Sequence, residues 1–236
     1  TSADKTYFLP PTLTNGNVHG IIVLNVYNER LLRLLAETQI PKVFLDTSSL
    51  VAPDELNGDL LLMESRTSVR RITCHLLEQG RTLPGFIGDI SYAQSNRERY
   101  EGFCQALADA GKKVDSSLCL TTPLGIDTYR EEIDTFLSSL SRMPDAFVCA
   151  SDYVACILMQ LLEKRGLRVP EDVAVSGFDN NTEDLLAEHL TTVQVFNEEL
   201  GARLALQILY RIKYPNTPHE ITYLGTNVLY RDSTGD

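Results

Sequence analysis

Val169-Pro170-Glu171-Asp172-Val173-Ala174-Val175-Ser176-Gly177-Phe178-Asp179-Asn180 decides the reading of this chain. A polar turn with Pro170 leads into the apolar run Val173–Val175. The run stops at Gly177, and the acid Asp179 follows. A short β-branched run closed by Gly and Asp reads as a buried parallel strand with polar groups at its carboxyl end. In open α/β sheets, that end is where ligands bind.

The same grammar repeats on both sides of this stretch. Gly20–Asn25, Val43–Asp46, Phe86–Ile87 and Asp145–Ala150 read as strands, with Ser116–Thr122 as a weaker one. Asn28–Thr38, Glu64–Gln79, Asn96–Ala110, Tyr129–Leu140, Asp152–Arg165 and Glu198–Ile212 carry apolar residues at helical spacing. Gly80, Gly111 and Gly166 stand where helices stop. Thr222–Tyr230 reads as a closing strand and Thr6–Leu9 as a possible early one. Pro84 removes a strand donor, so the strand there should start late. Ser48–Asp59, rich in Pro, Asp, Asn and Gly, reads as a linker, and Leu190–Phe196 as a second crossing. Strand–helix alternation with short loops implies parallel, doubly wound α/β architecture.

Composition bounds the function. The 236 residues suffice for a sizeable core, and 43% hydrophobic with 22% charged residues is ordinary for a globular chain. No apolar run reaches the ~18 residues that span a bilayer. A net charge of −11 offers no basic footprint for nucleic acid. The five cysteines, an odd number without Cys-x-x-Cys spacing, read as buried thiols in a reducing compartment. The four histidines are scattered without metal-ligand spacing. No Gly-x-Ser-x-Gly elbow, phosphate loop or dinucleotide fingerprint is present, so no enzyme, metal or cofactor is expected. Asn180-Asn181-Thr182 is formally a glycosylation sequon.

Eight segments in order resemble the effector-binding core of the LacI/GalR family of transcription regulators. They are His19-Gly20-Ile21-Ile22-Val23, Ile40-Pro41-Lys42-Val43-Phe44-Leu45-Asp46, His75-Leu76-Leu77-Glu78-Gln79-Gly80, Arg99-Tyr100-Glu101-Gly102-Phe103 and Ala150-Ser151-Asp152, followed by the opening stretch, Leu190-Thr191-Thr192-Val193 and Tyr230-Arg231-Asp232-Ser233-Thr234. The resemblance implies two doubly wound parallel-sheet lobes joined by crossing strands, the type I periplasmic binding protein-like arrangement. The N-terminal lobe would be residues 1–62 plus 193–222, and the C-terminal lobe 63–192 plus 223–236. Fewer than twenty residues precede Gly20, so the N-terminal lobe is expected to be incomplete, lacking its first βαβ unit, and the DNA-binding headpiece to be absent.

By the same resemblance the chain senses a small polar effector, a sugar or sugar phosphate, held between the lobes. It forms a homodimer in the cytoplasm and meets operator DNA only through the headpiece, with no membrane partner. The alternative is a sugar-binding receptor without DNA function. The ligand-binding residues expected are Asp46, Thr47, Arg99, Ser151, Asp152 and Asp179. A carboxylate such as Asp179 accepts paired hydroxyls, and the fork of Arg99 clamps a hydroxyl, carboxylate or phosphate. Asp179 also suits a turn, and Asp152 also suits a helix cap. Arg97 reads as solvated surface and Phe178 as packing. The aromatic that stacks on ligand in the family falls near Pro123 or Leu124, where this chain has no ring. The helix Val154–Leu162 is apolar on nearly every side, which points to a second buried face; the resemblance implies that this face joins a dimer interface, the alternative being a helix packed between sheet and loop.

Overall fold

The computed structural model describes residues 7–125, 127–180 and 188–235. In chain order the elements are α1 (Pro11–Thr14), β1 (Ile21–Leu24), α2 (Glu29–Ala36), β2 (Lys42–Leu45), β3 (Asp59–Met63), α3 (Arg66–Glu78), β4 (Pro84–Ile87), α4 (Gln94–Asp109) and β5 (Cys119–Leu120). Then follow α5 (Tyr129–Ser139), β6 (Ala146–Cys149), α6 (Asp152–Lys164), β7 (Ala174–Ser176), β8 (Thr192–Gln194), α7 (Asn197–Lys213), β9 (Ile221–Leu224) and β10 (Asn227–Leu229). They fall into two compact units. Unit 1 comprises Thr1–Met63, Tyr92–Ser95 and Phe196–Gly225; unit 2 comprises Glu64–Ser91, Asn96–Val195 and Thr226–Asp236.

Unit 1 is built on a parallel sheet of order β1-β2-β3-β9. Asn28 caps α2 by accepting from the Leu31 N–H, and the helix lays Leu32 and Leu35 on a core with Val23, Phe44, Leu60 and Leu62. Each such side chain contributes about 1.5–3 kcal/mol on burial. Helix α7 packs on β1 and β2 with Leu200, Leu204 and Ile208 inward. Strand β1 is an edge, and Ile22 and Leu24 on it are exposed. The sheet also holds a buried ion pair. Asp59 opens β3 with no exposed surface, and its carboxylate accepts from Gln207 Nε2 (2.7 Å), Arg211 Nε (3.0 Å), Arg211 Nη2 and the Glu220 N–H (2.9 Å). Arg211 spends its remaining donors on Thr217 O, Thr217 Oγ1 and Pro218 O. Burial alone would raise the Asp59 carboxyl, but these donors outweigh it and hold it below the usual aspartate range.

Unit 2 has a parallel sheet of order β5-β4-β6-β7 and a separate antiparallel pair, β8 with β10. One face carries α5 and α6 over Ile87, Phe147, Cys149 and Val175. On Phe86 lie the rings of Tyr100 and Phe103 from α4. Gly102 of α4 is required by closeness: a Cβ there would stand 2.2 Å from the Arg66 carbonyl oxygen.

Several expectations are corrected. Strand β4 starts at Pro84 itself, paired with Ala146; the first residue of a strand tolerates proline. The supposed linker Ser48–Asp59 folds into unit 1, because Val51 and Leu56 join its core and Asp59 is drawn into β3 by Arg211. Thr222–Tyr230 is two strands, broken at Gly225 where the chain passes from unit 1 to unit 2. Ser116–Thr122 gives a 3-10 turn, Ser116–Leu118, and only two strand residues. Tyr7–Leu9 forms no strand, and Thr6 lies outside the described residues, as do Asn181 and Thr182 of the sequon. Tyr92–Ser95, placed by sequence in the C-terminal lobe, belongs to unit 1.

Helix α6 supplies the last correction. Its surplus of apolar residues is buried within the chain, with Cys156, Ile157 and Leu161 all under 8% exposed. The sheet covers one side, and Ile133, Leu137, Tyr129 and Phe136 of α5 complete the cluster. Helix α5 accounts for that surplus, so the homodimer expectation rests on the family resemblance alone.

Candidate functional site

The polar groups singled out by sequence stand at the carboxyl ends of parallel strands, in two sets, one per unit. In unit 2, β7 delivers Gly177, Phe178 and Asp179. Asp179 has φ +109° and Asn180 has φ +51°, a backbone region that side chains other than glycine rarely enter. Both sides of the turn are pinned. The Asp179 N–H donates to Val193 O (3.1 Å) and the Asn180 N–H to Thr192 Oγ1 (3.2 Å). The Asn180 side chain bonds Gln194 and Arg231. Such over-determined strain clusters at functional sites. Gly177 is required here too, since a Cβ would fall 2.2 Å from Asp152 Oδ1.

Arg99, in the second turn of α4, is 4% exposed. Its guanidinium carbon lies 3.6 Å from the Phe178 ring centroid, a cation–π contact that makes Phe178 a floor for the arginine. Nη1 donates to Ala150 O at the end of β6 and, at 3.5 Å, to Asn96 Oδ1. Nη2 reaches Asp179 Oδ1 only at 3.4 Å, and Nε has no partner among the described residues. The Asp179 side chain keeps 43% of its surface, yet neighbouring atoms push its carboxyl above the usual aspartate range; Arg99 pulls it back without cancelling the shift. The pair is therefore under-bonded on both partners. Donor N–H groups beside open acceptor oxygens match adjacent hydroxyls on a ligand.

Ser151 and Asp152 divide differently from expectation. Ser151 caps α6, accepting from the Val154 N–H (3.3 Å). Asp152 is 2% exposed and accepts from Thr192 Oγ1 (2.6 Å), a tie that holds the turn after β7. Ser176 in β7 is buried, and its hydroxyl has no partner among the described residues. Sequence reasoning passed over Asn96 and Asp89: Asn96 Nδ2 donates to Asp89 O (3.0 Å), and Asp89 Oδ1 accepts from Ser91 N–H and Oγ. An Asx two residues past a strand, and another inside the following helix start, is the signal that could have found them. Arg97 is half-buried rather than solvated.

In unit 1, Asp46 follows β2 with φ +59° and is 2% exposed. Its carboxylate accepts from Thr47 N–H (2.8 Å), Ser95 N–H (3.3 Å), Ser95 Oγ (2.6 Å) and Tyr27 Oη (3.2 Å). It thus satisfies the Ser95 amide at the start of α4, while the Gln94 N–H donates to Thr47 O, and these bonds tie Tyr92–Ser95 to unit 1. Thr47 is fully buried, and its hydroxyl has no partner among the described residues. Among the described residues no group of His, Cys, Asp or Glu is placed to hold a metal ion, and no helix is long and apolar enough to cross a membrane.

A family model described as a periplasmic binding protein-like domain matches residues 73–234. The chain is 29% identical over 225 residues to the HTH-type transcriptional repressor PurR of Aliivibrio fischeri, covering 94% of this chain and 66% of that protein. It is 31% identical over 170 residues to the HTH-type transcriptional regulator DegA of Bacillus subtilis, covering 71% of this chain and 48% of that protein. Among solved structures, a transcriptional regulator CelR–cellobiose complex superposes with a TM-score of 0.83 at 27% identity, covering 94% of this chain and 68% of that one. The chain thus spans about two thirds or less of the curated relatives it matches.

Proposed function

The chain belongs to the family of periplasmic binding protein-like domains, in the form that makes the effector-binding core of LacI/GalR-type regulators, and from that premise we propose that it binds a sugar or sugar phosphate through Arg99 and Asp179. The observation that carries the reading is the under-bonded pair itself. A guanidinium 4% exposed, with Nε unpartnered among the described residues, stands beside a carboxylate whose only bond among them is 3.4 Å long. A buried donor left unsatisfied costs about 1–3 kcal/mol, which a hydroxylated ligand relieves. The strained backbone at Asp179 fixes the carboxylate before ligand arrives, so little ordering remains to oppose binding.

The carboxylates act as hydrogen-bond acceptors and no bond is broken, so the protein is a sensor rather than an enzyme. The cellobiose bound by the CelR regulator supports a carbohydrate ligand. The names of the relatives support transcriptional control by the whole protein, with DNA contact made by a part other than this acidic core. The five cysteines, all free thiols, support a cytoplasmic location.

A thermal-shift screen against sugars and sugar phosphates is the test. A ligand at 100 times its Kd stabilises the folded chain by about 2.7 kcal/mol. Arg99→Ala is expected to abolish the shift given by the best ligand and, because it empties a buried position, to lower the ligand-free melting temperature as well; Asp179→Asn, whose side chain is 43% exposed, is expected to weaken the shift with the ligand-free melting temperature changed little. An Arg99→Ala protein that binds as wild type does ends the proposal.

A further inference from the structure

The closing segment Tyr230–Thr234 has no part in the Arg99–Asp179 reading, yet within unit 2 it is tied to the turn that carries the acid. Ser233 Oγ donates to Val175 O of β7 (2.6 Å) and accepts from the Thr191 N–H (2.8 Å), while the Arg231 N–H donates to Thr191 Oγ1 (2.7 Å). On that base the Arg231 guanidinium donates from Nη1 to Leu190 O (3.1 Å) and from Nη2 to Asn180 Oδ1 (2.8 Å). From its other end Asn180 Nδ2 donates to Gln194 Oε1 (2.5 Å), and Gln194 Nε2 donates to Val195 O (2.8 Å). The Asn180 side chain thus spans from the end of β8 to the segment after β10, one residue beyond Asp179.

We infer that Arg231, acting through Asn180, is a positioning residue: it sets ligand affinity by fixing the Asp179 carboxylate and does not touch ligand itself. Glycine enters the positive-φ region without strain, but this turn carries Asp179 at +109° and Asn180 at +51°. A carboxylate is kept at the strained place, and the fold commits side-chain bonds to hold it there. Those bonds fall on Asn180, because the Asp179 carboxylate has only the 3.4 Å contact to Arg99 among the described residues. Oδ1 and Nδ2 of Asn180 both have partners within the fold, which suits a brace, while the Asp179 side chain keeps 43% of its surface for a ligand. An acceptor held in its bound geometry before association lowers the ordering cost of binding. The inference rests on the effector-binding reading and deepens it.

The test follows the Asp179 carboxyl by carbon-13 NMR across a pH titration of the ligand-free chain, in wild type, Asn180→Gly and Arg231→Lys. Both variants keep every charge around Asp179. Burial holds this carboxyl above the usual aspartate range, so a released and better solvated carboxylate is expected to titrate lower in both. Asn180→Gly places at φ +51° a residue that adopts it freely, so the fold is kept even if Arg231→Lys fails to fold. Calorimetric titration with D-glucose, cellobiose and D-glucose 6-phosphate is the second readout. For each probe that binds, Asn180→Gly is expected to raise Kd about tenfold, and to add nothing in an Asp179→Ala background. An unchanged carboxyl titration in Asn180→Gly overturns the inference. So does a loss of affinity as large with Asp179→Ala as without it, because the brace then acts elsewhere. Asp179→Ala binding like wild type removes Asp179 from the ligand site and the positioning role with it, while weak binding by Arg99→Ala would leave the effector-binding reading standing. If none of the three probes binds, the carboxyl titration alone decides.

Discussion

Two arginine–aspartate pairs, one in each unit, show what separates a saturated ion pair from the under-bonded one to which we assign a ligand. Arg211 and Asp59 in unit 1 are fully sealed: the guanidinium places all its donors and the carboxylate accepts four bonds. Arg99 and Asp179 in unit 2 touch once, at 3.4 Å, with Nε left over and the acid on strained backbone. The environments drive the acids in opposite directions, Asp59 down and Asp179 up. The same residue types thus reach saturation in one place and keep spare bonding capacity in the other.

The largest effect should come from breaking the sealed pair. Asp59→Ala leaves Arg211 as an uncompensated buried charge, and a loss of about 3–5 kcal/mol is expected in urea unfolding. If the midpoint moves by less than about 1 kcal/mol, Arg211 has found other partners and the pair is not what holds β3 against β9. Asp179→Asn should behave the other way. It removes a charge that the fold disfavours, so ligand-free stability should hold or rise by less than about 1 kcal/mol, discounted because the side chain is half exposed. A large loss would make this pair structural as well.

Acidity sharpens the contrast. Asp59 is depressed in the fold, so its contribution is complete above the unfolded value of about 4 and disappears as pH falls through its folded value. Asp179 is raised in the fold. Its contribution is complete below about pH 4 and is lost as pH rises through its folded value. The stability gap between wild type and Asp179→Asn should therefore close on acidification from neutral pH, followed by melting temperature at matched ionic strength. The smallest effect is assigned to Ser176→Ala. The buried hydroxyl has no partner among the described residues, so its removal should gain up to about 1 kcal/mol without altering ligand binding. A loss of similar size would show that a water satisfies the hydroxyl.

How far the sequence carries this picture depends on how local each signal is. Val173–Val175 and Asp145–Ala150 announce themselves because fully buried parallel strands are continuous apolar runs. Strand β3 does not: it opens with Asp59, whose partner Arg211 stands 152 residues further on, so the acid reads as part of a polar linker. Arg99 and Asp179 stand out through the family-like segments that carry them, at a helix start and past a strand end, and the structure brings them together. Asp46 looks equivalent on paper. What differs is Ser95, from a distant segment, which occupies its oxygens, and no spacing rule reveals that. Ser151 and Asp152 are adjacent letters with separate tasks, set by which one points back at the α6 amides.

The order β1-β2-β3-β9 has a consequence for how the molecule is made. Strands β1, β2 and β3 leave the ribosome early, but β3 stays an open edge until β9 is synthesised, and Asp59 stays unneutralised until Arg211 emerges. All of unit 2 except its last residues is translated in that interval. Unit 1 therefore waits, with its sheet unfinished and a carboxylate at the growing edge that discourages premature strand pairing. A chain stalled or truncated before residue 211 should fold most of unit 2 and leave the first 63 residues in need of a chaperone.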